Sequence, residues 1–91
     1  MSQQLRAKPD YILRRVVDEW ILMPVGEQAA IARSSVILDD VASFIYQQLQ
    51  SSVSRQDVLQ AILDEYDVDA DTAGKDLDEL LDRLRGFGVL E

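Results

Sequence analysis

The segment VILDDVASFIYQQL, residues 36–49, decides the fold because its apolar pattern changes from that of a strand to that of a helix. Val36–Leu38 is a short apolar run that predicts a strand. Asp39 is a favoured helix N-cap, and Asp40 places a negative charge in the first turn, where it complements the helix dipole. Apolar residues then recur at helical spacing, at Val41, Phe44, Ile45 and Leu49. The segment therefore predicts a strand that leads directly into a capped amphipathic helix.

Upstream of this segment, the sequence predicts a β-hairpin. Residues 11–17 and 20–25 are rich in aromatic and β-branched types, and the polar pair Asp18-Glu19 between them suits a tight turn. The second run ends at Pro24 and Gly26, which do not continue a strand. Val36–Leu38 then reads as a third strand, although residues 27–32 could also form a helical turn.

Downstream, two further helices are predicted. Ser54 to Asp57 resembles a capping box and begins a helix whose apolar residues cover more than one face, so this helix is expected to be the most buried. Either Asp69 or Asp71 can cap the next helix. Its apolar stripe is the most regular in the chain, with Ala73, Leu77, Leu80, Leu81, Leu84 and Phe87.

The predicted order is three strands followed by three helices. It indicates an α+β, winged-helix-like domain in which the helices pack on one face of a three-stranded antiparallel sheet. A chain of 91 residues is too short for two cores, so residues 11–91 are assigned to a single domain and residues 1–10 to a flexible N-terminal segment.

Composition argues against an enzyme. The chain has no cysteine and no histidine, so the usual general base, thiol nucleophile and transition-metal ligands are missing, and no cofactor or metal is expected. The carboxylates between Asp64 and Asp71 lack the glycine and terminal glutamate of an EF-hand loop. Without a signal peptide or a run of about 18 apolar residues, the chain is expected to be cytoplasmic, with no membrane partner.

Charge is unevenly distributed along the chain. Residues 57–91 hold eleven acidic side chains against three basic ones, whereas residues 1–56 hold six of each. The acidic half repels nucleic acid and anionic lipid, and it either attracts a cationic partner or simply favours solubility.

Three parts of the chain resemble the PqqD-like family, whose members recognise ribosomally made precursor peptides. They are the hairpin of residues 13–26, with its charged turn and Pro-Val-Gly ending, the segment of residues 36–46, and the tail from Ile62 to Leu90. Asp39 and Ser43 stand where the family usually has Asn and Gly. The hairpin also differs from that of members serving quinone-cofactor synthesis, which indicates another peptide pathway.

The resemblance implies a non-enzymatic recognition element. The leader segment of a precursor peptide is expected to add as a strand beside the third strand, against the third helix, and to be presented to a modifying enzyme, often a radical S-adenosylmethionine protein. Strand addition draws affinity from backbone pairing and specificity from side-chain pockets. The expected peptide-binding residues are Ser35, Val36, Ile37 and Leu38 on the strand and Asp76, Leu80, Arg83 and Leu84 on the helix.

Other functions stay open at this point. A winged-helix nucleic-acid binder has similar parts, but it needs a basic recognition helix, and every helix predicted here is neutral or acidic. Another kind of protein-interaction domain is the second alternative. An acyl or peptidyl carrier would need a modifiable serine in an Asp-Ser context, which the sequence lacks. An open edge strand could also pair with a second copy to form a homodimer.

Overall fold

The computed structural model describes residues 4–26 and 35–90 of the chain. In these residues the strands are β1 (Gln4–Leu5), β2 (Tyr11–Val16), β3 (Glu19–Pro24), β4 (Val36–Leu38) and β5 (Val53–Ser54), and the helices are α1 (Asp40–Gln48), α2 (Arg55–Glu65) and α3 (Ala70–Gly86). The main sheet is antiparallel with the order β2-β3-β4, and β1 pairs with β5 in a second sheet. The predicted α+β architecture is confirmed. The helical turn considered for residues 27–32 lies outside the described residues.

The hairpin of β2 and β3 turns one residue earlier than predicted. Val16 pairs with Glu19, so the turn is Val17-Asp18 and not Asp18-Glu19. Val17 has a φ of 57°, which is unfavourable for a β-branched residue. This register places Leu13 opposite the fully buried Leu22, and core burial therefore outweighs the local turn preference.

The two faces of the main sheet differ in what covers them. One face carries Leu22, Val36 and Leu38, which are buried in the core. The opposite face, called the outer face below, carries the alternate side chains of the three strands, and the register assigns to it Ile12, Arg14, Val16, Glu19, Ile21, Met23 and Ile37. The helical layer therefore packs on the first of these faces.

The predicted helix caps are confirmed. The Asp39 carboxylate accepts a hydrogen bond from the backbone N–H of Ala42 at 2.7 Å. Ser54 and Asp57 form the reciprocal capping box of α2. Asp69, and not Asp71, caps α3. Ser43, which stands where the family usually has glycine, is buried, and its hydroxyl donates to the carbonyl of Asp40 at 2.9 Å.

The expectation that α2 would be the most buried helix is wrong. Only Val58 and Ile62 of its eleven residues are buried. The most extensive buried stripe belongs to α3, and it comprises Ala73, Gly74, Leu77, Leu80, Leu81 and Leu84. The reason is that several apolar residues of α2 lie at the margin of the core and only partly pack against it.

The second sheet joins the amino-terminal part of the chain to the domain. The strands β1 and β5 were not predicted, because a strand of two residues shows no alternation in the sequence. Leu5 and Ala7 are buried, and the backbone N–H of Lys8 donates to the carbonyl of Val89 at 2.7 Å. Residues 4–8 therefore pack against the domain, whereas the mobility expected for residues 1–10 stays a prediction.

Candidate peptide-binding groove

Strand β4 is an edge of the main sheet. Among the described residues it pairs only with β3, through Val36, Ile37 and Leu38. Val36 and Leu38 are buried, whereas Ile37 is 59% exposed on the outer face, directly opposite Ile21. The backbone groups on the far side of β4 therefore have no strand partner among the described residues.

A cavity of about 290 Å³ opens where β4 passes into α1 and both lie beside α3. The apolar part of its lining is Val41, Ala42 and Ile45 from α1 and Leu80 from α3, and its charged part is Asp39, Asp76, Glu79 and Arg83. This cavity and the free edge of β4 are together called the groove. The structure thus brings three of the predicted peptide-binding residues, Asp76, Leu80 and Arg83, to a single cavity.

A smaller apolar hollow adjoins this cavity. It encloses about 50 Å³ and shares Val41, Ile45 and Asp76 with the larger cavity, and its remaining lining is Ile62, Tyr66, Val68 and Ala73. The Tyr66 ring is held by an edge-to-face contact with Phe44, with ring centres 5.5 Å apart. Because the lining is mostly apolar, the space suits the end of one apolar side chain.

The groove is electrostatically negative. Three carboxylates and one guanidinium line its larger cavity. Asp39 is engaged as the cap of α1, but no described residue makes a hydrogen bond or ion pair with the side chains of Asp76, Glu79 or Arg83. Burial raises the pKa of the nearby Tyr66 phenol, and the charges of Glu65, Asp40 and Asp39 raise it further. The cavity therefore favours a cationic group over an anionic one.

The other predicted peptide-binding residues do not line this cavity. Leu84 is fully buried and belongs to the core, as do the side chains of Val36 and Leu38. Ser35 is exposed immediately before β4. Ile37 lies on the outer face and not toward α3, and its side chain is the one exposed side chain of β4.

Several lining residues were missed by sequence reasoning. The lining residues from the start of α1 were predicted as its cap or core, or not at all: Asp39, Val41, Ala42 and Ile45. The contact between α1 and α3 is a tertiary feature that leaves no local signal in the sequence. Glu79 was detectable, since it lies three residues after Asp76 and four before Arg83 and therefore shares their side of the helix.

Trp20 and Arg15 make contacts within the domain. The indole Nε1 of Trp20 donates to Asp40 at 3.0 Å, and the guanidinium of Arg15 lies 5.5 Å from the Trp20 ring. Within residues 4–26 and 35–90, no group of three or more Asp and Glu side chains is arranged to hold a metal ion. In the same residues, no helix has the length and apolarity needed to cross a membrane.

Comparisons with known proteins agree with this architecture. The chain aligns with the structure of "TbiB1 in Complex with the TbiA(beta) Leader Peptide" at 26% identity and a TM-score of 0.74, covering 94% of each chain. It aligns with "Lasso peptide synthetase B1 complexed with the leader peptide" at 24% identity and a TM-score of 0.75, covering 98% of this chain and 99% of the other. None of the curated protein sequences matches significantly. The family model "Coenzyme PQQ synthesis protein D (PqqD)" matches residues 19–90, and the chain therefore belongs to the PqqD family.

Proposed function

We propose that this protein binds the leader segment of a ribosomally synthesised precursor peptide and presents it to a peptide-modifying enzyme. The observation that carries the proposal is the coincidence of a free strand edge at β4 with a cavity lined by Asp76, Leu80 and Arg83. Both similar structures are, by their descriptions, complexes with a leader peptide.

The backbone of the leader pairs with β4. A strand added at this edge satisfies N–H and C=O groups that have no partner among the described residues, and such pairing needs no particular sequence. Because β4 has only three residues, this pairing is short, and side-chain contacts must supply most of the specificity.

The side chains of the leader point alternately to the two faces of the extended sheet. Those on the helix side enter the groove, where the apolar hollow accepts one apolar end and Asp76 or Glu79 accepts a basic group. Those on the other side lie beside Ile37 on the outer face. The preferred leader segment therefore carries an apolar and a basic residue at positions of the same parity.

The protein itself supplies no catalytic chemistry in this proposal. PqqD-like recognition proteins act as non-catalytic, peptide-binding partners of modifying enzymes, and this chain has neither histidine nor cysteine. The partner is the modifying enzyme of the same pathway, and the family resemblance points to a radical S-adenosylmethionine enzyme.

The nucleic-acid-binding alternative is not favoured. The helix that would have to enter the major groove, α3, carries five acidic side chains at Asp71, Asp76, Asp78, Glu79 and Asp82. Its basic residues are Lys75, Arg83 and Arg85. This excess of acidic side chains repels phosphates. Both similar structures are described as complexes with a leader peptide.

The test is an amide NMR titration of the labelled protein with the leader half of a short reading frame beside its gene. We expect shifts concentrated on residues 35–38 and on the amides of α3 around Asp76, Leu80 and Arg83. Shifts confined to α2, or none with every neighbouring leader while the protein is folded and monomeric, would contradict leader binding in this groove.

A further inference from the structure

The outer face of the main sheet is largely apolar, with Arg14 and Glu19 as its charged residues, and no described residue covers it. Six large apolar side chains are exposed in the described part of the chain. Three of them, Ile12, Val16 and Ile37, lie on the outer face, and Val17 lies at the hairpin tip beside it. The half-buried Ile21 and Met23 connect them. Single exposed apolar residues are ordinary, but a contiguous set indicates an interaction surface.

A single cation stands in the middle of this face. Arg14 is exposed, lies between Ile12 and Val16 along β2, and is directly opposite Ile21 on β3. No described residue makes a hydrogen bond or ion pair with its guanidinium. A partner that covers the face would have to present an apolar surface with a carboxylate opposite Arg14, since a buried guanidinium needs an anionic partner.

The size of the face restricts what can occupy it. Two strands of six residues and one of three, at about 3.3 Å per residue and about 4.8 Å between strands, cover roughly 240 Å². Stable protein interfaces bury about 800 Å² on each partner, so the outer face by itself is too small for a stable homodimer. It needs a neighbouring surface to complete the interface.

A leader strand would supply part of that surface. A strand added at β4 extends the same sheet, and its outward side chains continue the outer face next to Ile37. We propose that the peptide-modifying enzyme docks on the outer face, with Arg14 at its centre, and binds tightly only when a leader strand has extended the sheet. This inference rests on the proposed function, because without a leader strand the interface is incomplete.

The experiment measures two affinities for each variant. A synthetic leader peptide titrated into the protein gives the first. For the second affinity, the purified modifying enzyme encoded beside the gene is immobilised and exposed to the protein with and without saturating leader. For the unchanged protein we expect the leader to strengthen enzyme binding at least tenfold.

Three substitutions address the face itself. We expect Ile12→Glu and Arg14→Glu each to weaken enzyme binding of the leader-loaded protein about tenfold or more while leader affinity changes less than twofold, and Arg14→Lys to retain most of the binding. Phe87→Glu is the matched control, because Phe87 is 44% exposed but lies away from this face.

The outcomes separate this inference from the proposed function. Unchanged enzyme binding in Ile12→Glu and Arg14→Glu would overturn the docking site while leaving leader binding intact. Loss of leader affinity in these variants would also overturn it, by assigning the face to the leader. A dimer that Ile12→Glu dissociates in gel filtration would assign the face to a second copy and would likewise overturn it. Absence of leader binding by the unchanged protein would instead contradict the proposed function.

Discussion

The indole Nε1 of Trp20 donates a hydrogen bond to Oδ1 of Asp40 at 3.0 Å, and this bond joins the central strand β3 to the first residue of α1. Trp20 also lies opposite Leu38, the last residue of β4. The bond therefore fixes the angle at which the edge strand passes into the helix. The larger cavity of the groove begins at this junction, since Asp39 is part of its lining.

Removing the carboxylate of Asp40 should loosen the junction between β4 and α1 without unfolding the domain. We expect Asp40→Ala to lower the free energy of unfolding by about 0.5–1.5 kcal/mol, the usual net contribution of one hydrogen bond. Asp40→Asn keeps Oδ1 as an acceptor and should lose less. Urea titration followed by the emission of Trp20, the only tryptophan, measures both effects. Equal losses in the two variants would show that charge in the first turn of α1 matters and the bond does not.

Leu84 and Leu80 should respond differently to truncation. Leu84 is fully buried, so Leu84→Ala should destabilise the domain by about 2–5 kcal/mol and leave the leader affinity of the folded fraction unchanged. Leu80 is 5% exposed and lines the cavity, so Leu80→Ala should both destabilise the domain and weaken leader binding. Thermal unfolding together with calorimetric titration of leader, below the melting temperature of each variant, tests the difference. Weaker leader binding by folded Leu84→Ala would show that Leu84 contributes to the groove.

A charge at the edge strand should disrupt leader addition. Ile37→Asp places a carboxylate where outward leader side chains would pack, and we expect leader affinity to fall at least tenfold with little change in stability, because Ile37 is exposed in the free protein. Asp64→Ala is the control. Asp64 is exposed on α2 and accepts a hydrogen bond only from Gln60 among the described residues. Retained affinity in Ile37→Asp would argue against β4 as the binding edge.

The negative charge of the groove should make leader binding sensitive to salt. Asp76→Asn removes one of the three carboxylates of the larger cavity, and we expect it to weaken binding of a leader with a basic residue about three- to tenfold at low ionic strength. The loss should shrink in 0.5 M salt, because the Debye length is then only about 4 Å. Asp82→Asn, at an exposed position of α3 outside the cavity, should have a smaller effect. Equal effects of both substitutions would indicate long-range steering and no local contact.

Acid should weaken the contact between α2 and α3. Arg55 donates to both carboxylate oxygens of Asp78, at 2.7 and 3.0 Å, and the guanidinium lowers the pKa of that carboxyl. Because the folded pKa is the lower one, the stabilisation is fully present above the unfolded value of about 4 and is lost as pH falls through the folded value. Both side chains are half-exposed, so the pair should contribute at most about 1 kcal/mol.

Melting temperatures between pH 7 and pH 2 measure this contribution. Asp78→Asn should melt slightly below the unchanged protein at pH 7, and the difference should vanish at the acid end of the range. Asp69 has a pKa lowered chiefly by the backbone N–H of Thr72, and it loses stabilisation in the same direction in both proteins. A difference that persists at the lowest pH would mean that Asp78 contributes through packing and not through its charge.

Much of the fold was readable in the sequence because its determinants are local. The caps at Asp39 and Ser54 each bond to a backbone group three residues away, and the stripe of α3 repeats within a single element. The strands of the hairpin were readable for the same reason. The turn at Val17 was not, because the register is set by the pairing of Leu13 with Leu22 in the core.

The candidate site, too, was only partly predictable from the sequence. The sequence by itself determined that β4 is followed at once by α1, that the carboxyl half of the chain is acidic, and that neither histidine nor cysteine is present. Only the tertiary structure decided that Leu80 faces a cavity while Leu84 fills the core, and that Ile37 joins Ile12 and Ile21 on the outer face. The physical reason is that a periodic stripe gives the direction of a side chain relative to its own element. What that side chain meets depends on the element that packs against it.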